Sequence, residues 1–312
     1  MRVTGLTVVP QHRGIVAEVE AERDAVGLEI VDGLTAGASK AGTMKRRNGI
    51  PVIGFGTAGL GERPQEAIAT ALEVGYRHLD TAQSYGTEDA IGRVLRDSGL
   101  SRSDVFLTTK IADANLAGDR FMSSLRQSLD RLGTDYVDLL LIHWPSPGDA
   151  VPLADYMTAL AEAKANGQAR LIGVSNFTIA LLDQSIAILG PGALATNQVE
   201  MHPHFHNRTV RAWCDARGIA VTAYMPLGLG RVLSTATLSA IAARTVTSPA
   251  EVALAWLIQQ GVIVIPASKS RAHMAANLAA ADITLSDEEM AAMERTDRNH
   301  RMINPAKAPV WD

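Results

Sequence analysis

The sequence predicts a single (β/α)8 barrel, a TIM barrel, over residues 44–312. Two observations predict it. Short runs rich in Val, Ile and Leu recur eight times from residue 50 onward, and most neighbouring runs are separated by a stretch of helical periodicity. Strands that are apolar on both faces belong to a parallel sheet covered on both sides. Eight such strand–helix repeats close on themselves within about 250 residues, whereas a doubly wound sheet usually has fewer strands.

In chain order the runs are PVIGFG (51–56), YRHLD (76–80), DVFLTTK (104–110) and YVDLLLIHW (136–144), then ARLIGVSN (169–176), LATNQVE (194–200), IAVTAYM (219–225) and VIVIPAS (262–268). Between them, PQEAIATALEVG starts with Pro64 at a helical N1 position and stops at Gly75. RFMSSLRQSLDRLG is stopped by Gly133. SPAEVALAWLIQQG has Ser248 as N-cap, Pro249 at N1, Glu251 at N3 and Gly261 at its end, and SDEEMAAMERTD opens with a Ser286/Glu289 capping box.

Residues 1–43 stand apart as a poorly ordered extension. They cluster Glu18, Glu20, Glu22 and Asp24 and end in the small-residue stretch TAGASKAGT. They lack the apolar block of a secretory signal and the acid-poor composition of a transit peptide. Met44 before KRRNGIPVIGFGT also reads as a natural start.

Composition excludes several classes. A net charge of −4 with no basic stripe gives no footprint for nucleic acid. No apolar run reaches the roughly 18 residues of a membrane span. The lone Cys214, beside Trp213 on a helical stretch, allows no internal disulfide and reads as inert packing. A reducing, cytoplasmic location is the expectation.

The chemistry of such barrels sits at the C-terminal ends of the strands. The polar residues there are Asp80, Lys110, His143, Asn176, Gln198, Tyr224 and Ser268, with Tyr85 in the loop after the second strand. A phenol near pKa 10 is a poor acid at neutral pH, and a nearby ammonium lowers that pKa. Lys110 can supply the ammonium, Asp80 can hold it charged, and His143 can donate to a substrate oxygen. Such a set delivers a proton to a carbonyl oxygen while a hydride attacks the carbon.

DTAQSYGTED, TTKI, RLGTDYVDLLLIHWP, IGVSNF, NQVEMHP, AYMPLG and IPAS, in that order over about residues 48–312, resemble the successive signatures of the aldo-keto reductase family. The ending, IP-x-S-x-x-R followed by NL and DRNHRMINPAKAPVWD, resembles its bacterial 2,5-diketo-D-gluconic acid reductase B branch, whose members also reduce methylglyoxal. The resemblance implies NADPH-dependent reduction of small aldehydes, dicarbonyls or keto sugars, with Tyr85 as general acid, Asp80 and Lys110 as its tuning pair and His143 orienting the substrate. It implies Asn176 and Gln198 at the nicotinamide carboxamide, Tyr224 stacked on its ring, Asp80 touching the ribose, and Thr57 and Ser175 among the residues that bind the cofactor. Met225, Pro226, Leu227 and Gly228 would pass along the pyrophosphate. Ser268, Lys269, Ser270, Arg271, His273 and Asn277 would surround the adenosine half. Relatives are often monomers, so a monomer with a small-molecule carbonyl substrate is the expectation.

Three positions depart from the family pattern. Ala267 and His273 stand where a Lys and an Arg often serve the 2′-phosphate, so NADPH is expected with Lys269 and Arg271 compensating and NADH tolerated. Ala112 replaces a Trp two residues after the lysine, which widens the substrate pocket. The tail is short, leaving Trp144 and Trp311 as apolar walls.

Other patterns read otherwise. GFGTAG (54–59) matches a dinucleotide fingerprint, but the next helix begins only near Pro64, so its glycines serve close backbone approach to cofactor or substrate. His202, His204 and His206 read as surface or loop residues rather than a metal site, with Pro203 interrupting them and only Glu200 as a nearby carboxylate. GVSNF is not a serine-hydrolase elbow. The rival functions are a Schiff-base lyase using Lys110, which Asp80 disfavours by keeping the amine charged, and a non-enzymatic NADPH sensor.

Overall fold

The computed structural model describes residues 45–312; the extension expected at 1–43 lies outside them. The first element is a hairpin, β1 (Arg46–Arg47) and β2 (Ile50–Pro51), paired antiparallel. Asn48 and Gly49 both take positive φ, 48° and 79°, the conformation a two-residue hairpin turn demands. The Asn48 amide donates to the carbonyls of Ala195 and Gly218 at 3.1 and 2.7 Å, pinning the hairpin to the end of the barrel opposite the strands' C-termini.

Eight parallel strands follow: β3 (Phe55–Gly56), β4 (His78–Asp80), β5 (Phe106–Ile111), β6 (Val137–Ile142), β7 (Ala169–Ser175), β8 (Leu194–Glu200), β9 (Ala220–Tyr224) and β10 (Ile263–Val264). They neighbour one another in chain order. A parallel bridge of Ile53 with Val264 closes the ring, with Gly54 N donating to Val264 O at 2.8 Å and Val264 N to Val52 O at 2.9 Å. Around them lie α1 (Pro64–Val74), α2 (Glu88–Asp97), α3 (Gly118–Leu132), α4 (Leu153–Ala165) and α5 (Ile179–Leu189). The remaining helices are α6 (Arg208–Asp215), α7 (Ala236–Thr245), α8 (Pro249–Gln259), α9 (Arg271–Ala279) and α10 (Asp287–Glu294). The capping boxes of Ser248/Glu251 and Ser286/Glu289 form, and Gly133 ends α3 in the left-handed region.

Side chains alternate along each strand, which divides the core in two. Leu139 and Leu141 join Ile50, Phe106, Ala195, Ala220 and Ile263 in one small cluster inside the barrel. Leu140 and Ile142 belong to the larger layer between strands and helices. The same parity turns His78 and Asp80, and Thr108 and Lys110, inward; in β8 a register shift between the Ile172–Leu194 and Val174–Asn197 pairs breaks the alternation, and Gln198 also reaches Asp80.

Two glycines of GFGTAG, Gly54 and Gly56, have a packing role. A Cβ on Gly54 would lie 2.5 Å from the His78 ring, and one on Gly56 would lie 2.7 Å from the Ile265 carbonyl. They let the first strand press against the barrel interior and its last strand. Cys214 is fully buried, and burial pushes its thiol up to about 12, consistent with inert packing.

Candidate active site

At the C-terminal rim, Lys110 is wholly buried and donates to the Asp80 carboxylate and to the Thr81 carbonyl, the latter at 2.8 Å. The second oxygen of Asp80 accepts from the Gln198 amide at 2.8 Å. Thr57 fixes the end of β4 through its hydroxyl, which donates to the Asp80 carbonyl at 3.0 Å. Burial alone would lower the Lys110 pKa, but the attraction of Asp80 and Tyr85 outweighs it and raises the amine above its ordinary value. The lysine is therefore charged.

Tyr85 ends a short 3₁₀ turn, Gln83–Tyr85, that leaves β4 and is closed by Gly86 at φ 68°. Gln83 ties this turn to the loop after β5, accepting from Ala112 N and from the Asn115 amide, both at 2.9 Å. The Tyr85 ring lies 5.0 Å from the Lys110 ammonium, and its hydroxyl lies 3.4 Å from His143 Nε2. The expectation that Lys110 sets the phenol below its ordinary pKa is corrected. Burial raises it more than the ammonium lowers it, so Tyr85 rests as a protonated phenol.

His143 follows the end of β6. Burial first, then the charges of Lys110 and Lys307, push its pKa down to about 3, so the ring is neutral. Its Nδ1 lies 3.4 Å from the Ser84 hydroxyl. A ring protonated on Nε2 would present that N–H beside the Tyr85 hydroxyl.

The residues expected at the nicotinamide also lie together. Asn176 donates to the His143 carbonyl at 2.9 Å and to Ser175 Oγ at 3.0 Å, and accepts from the Tyr224 hydroxyl at 2.9 Å. Ser175 Oγ donates to the Gln198 carbonyl at 2.8 Å. Asn176 and Met225 hold φ of 64° and 49°; such strain in non-glycine residues persists where surrounding structure enforces it, commonly at binding sites. Met225, Pro226, Leu227 and Gly228 continue from β9. Gly228 lies against Val232, where a Cβ would come within 2.8 Å of that side chain. The Asn176 and Gln198 carboxamides supply donors and acceptors of the kind that a nicotinamide carboxamide pairs with.

The adenosine-side residues Ser268, Lys269, Ser270, Arg271, His273 and Asn277 gather where β10 leads into α9. Ser270 caps that helix, Asn277 is buried within it, and Lys269, Arg271 and His273 are exposed. Arg271 is held by Glu73 of α1 at 2.6 Å, so of the two expected compensating cations it is already engaged. Ala112 is half-buried, and Trp144 is buried with the Trp311 ring 6.1 Å away, forming one apolar wall.

The surface reading of His202, His204 and His206 is corrected: all three are buried. His202 meets Glu200 at 3.1 Å, His204 meets Thr235 at 2.8 Å, and His206 meets the Pro203 carbonyl at 3.0 Å. Glu200 further accepts from the backbone of Met302 and Ile303, at 2.6 and 2.7 Å. It is a buried anchor for the tail. A carboxylate at the end of an apolar strand was the available signal, but its backbone partners lie 102 and 103 residues away.

The site groups a phenol, an imidazole and a buried lysine at the barrel mouth, and the class to which the chain's relatives assign it is that of oxidoreductases acting on carbonyls. The Aldo/keto reductase family model matches residues 52–298, and the chain belongs to that family. It is 46% identical to a methylglyoxal reductase, DkgB, of Salmonella typhimurium over 84% of this chain and 99% of that protein. A crystal structure provisionally named a 2,5-diketo-D-gluconic acid reductase B superposes with a TM-score of 0.80 at 39% identity, covering 85% of this chain and 95% of that one. A Bombyx mori aldo-keto reductase in complex with NADP superposes with a TM-score of 0.76 at 32% identity, over 82% and 92% of the two chains.

Proposed function

We propose that this carbonyl oxidoreductase uses NADPH to reduce small aldehydes, dicarbonyls or keto sugars, methylglyoxal and 2,5-diketo-D-gluconate among them, with Tyr85 as the proton donor. The convergence of Tyr85 Oη and His143 Nε2 at 3.4 Å carries this reading. The substrate oxygen would sit between them, where preorganised donors meet the negative charge that develops during reduction. Tyr85 gives up its proton, and the buried Lys110 ammonium stabilises the phenolate left behind. Asp80 keeps Lys110 charged and aimed. His143 donates and does not titrate.

When bound, the reduced nicotinamide supplies the hydride. Asn176 and Gln198 would hold its carboxamide and Tyr224 its ring, while Met225–Gly228 line the pyrophosphate. Lys269 and Arg271 would take the 2′-phosphate, since ammonium and guanidinium groups both bind phosphate. The likeness to the methylglyoxal reductase supports the substrate class.

Steady-state oxidation of NADPH, and separately NADH, with methylglyoxal and with 2,5-diketo-D-gluconate tests the reading. Turnover with NADPH preferred is the expected result. Tight NADPH binding without turnover of any carbonyl would replace it with a cofactor sensor.

A further inference from the structure

The C-terminal segment carries a charged pair that the proposed reaction does not use. Beyond α10 the chain has no regular helix or strand and returns to the barrel mouth. It is fastened there by Glu200 on Met302 and Ile303, by Trp311 between Trp144 and the Arg301 guanidinium 3.6 Å from its ring, and by Asp312. The Asp312 side chain accepts from Ile179 N, at the start of α5, at 3.1 Å. Between these anchors Lys307 Nζ donates to Asp113 Oδ1 at 2.6 Å and lies 5.8 Å from the Trp144 ring. Asp113 follows Ala112 in the loop after the strand that carries Lys110. The pair therefore spans the mouth beside the wall that a substrate's distal end would touch. Its side chains are 37% and 25% exposed, so they are partly dry yet reachable from solvent. The Lys307 charge is felt at the His143 ring.

We propose that Lys307 is the specificity-determining cation of the substrate pocket, receiving a carboxylate that the carbonyl substrate carries a few bonds from its carbonyl, and that Asp113 is a positioning residue that competes with that carboxylate. The proposal deepens the reductase reading and rests on it. An ammonium has three donors, so Asp113 and a substrate carboxylate can share it, but the two anions repel. Removing the cation and removing its partner must then act in opposite directions. A tail latch with no electrostatic role would respond to both losses alike.

The test compares kcat/KM for succinic semialdehyde with that for its uncharged methyl ester, using NADPH and the full chain. Lys307→Met lowers the acid-to-ester ratio about tenfold, as loss of a charge-assisted hydrogen bond should, and Lys307→Arg restores most of it. Asp113→Asn raises the ratio, and added salt compresses the ratio in the unaltered protein. A ratio indifferent to both substitutions, or lowered by both, overturns the proposal while leaving the reductase reading intact. Failure of the folded, unaltered protein to reduce either compound while it reduces methylglyoxal overturns the proposal alone; failure with methylglyoxal as well removes the reductase reading and the proposal together.

Discussion

Asp80→Asn perturbs the buried pair with the least change of shape. Lys110 is wholly buried, and Asp80 is its one ion-pair partner among the described residues. Breaking a buried pair by removing one member costs about 3–5 kcal/mol, because the other charge is left uncompensated. In the unaltered protein the Lys110 pKa is raised above its ordinary 10.5. That contribution to stability is fully present below pH 10.5 and is lost only as pH climbs through the folded-state value. In Asp80→Asn, burial is no longer offset by Asp80, and the prediction is that the Lys110 pKa drops below that of the unfolded chain. Between the two values the folded variant binds fewer protons than its unfolded chain, so its stability rises with pH. Urea unfolding followed by tryptophan fluorescence at pH 7 and near pH 9.5 reads both effects. The account predicts a deficit of about 3–5 kcal/mol at pH 7 that shrinks at the higher pH. A deficit independent of pH, or one under about 1 kcal/mol at pH 7, refutes the claim that Asp80 keeps Lys110 charged.

Three further outcomes follow from particular contacts. His143 is held near pKa 3, so kcat/KM should show no titration between pH 5 and 8 that disappears in His143→Gln; such a step would contradict the neutral-donor role. Arg271→Ala should weaken NADPH binding in a fluorescence titration and leave NADH binding unchanged. Its exposed pair with Glu73 predicts a stability change under about 1 kcal/mol, and equal loss for both cofactors would remove the phosphate role. Gly54→Ala drives a Cβ to 2.5 Å from the His78 ring and should destabilise by about 1–3 kcal/mol in urea; full stability would mean that ring is free to move.

The rim residues were legible because parity and strand ends are written in sequence. An apolar run that stops at Asp80, Lys110 or His143 aims its last polar side chains at the barrel mouth, and eight such runs bring them together. Burial is harder to read. The Tyr85 phenol lies near an ammonium, but the balance between that charge and desolvation depends on tertiary packing, and desolvation prevails. His202, His204 and His206 looked polar enough for a surface until Thr235, Pro203 and Glu200 supplied their partners. Contacts across long stretches left no local mark at all. Glu73 meets Arg271 across 198 residues and Lys307 meets Asp113 across 194, and no periodicity connects either pair. The last run was also read too long: of residues 262–268 only Ile263 and Val264 form ladder pairs.

The central claim is that Tyr85 donates the proton, and the most direct measurement is Tyr85→Phe, assayed for methylglyoxal reduction alongside NADPH titration. General acid catalysis contributes typically about 10²–10⁴-fold, so the account predicts a loss of kcat in that range with the NADPH dissociation constant nearly unchanged. Turnover within about tenfold of the unaltered protein, or a loss of cofactor affinity matching the loss of turnover, would contradict it.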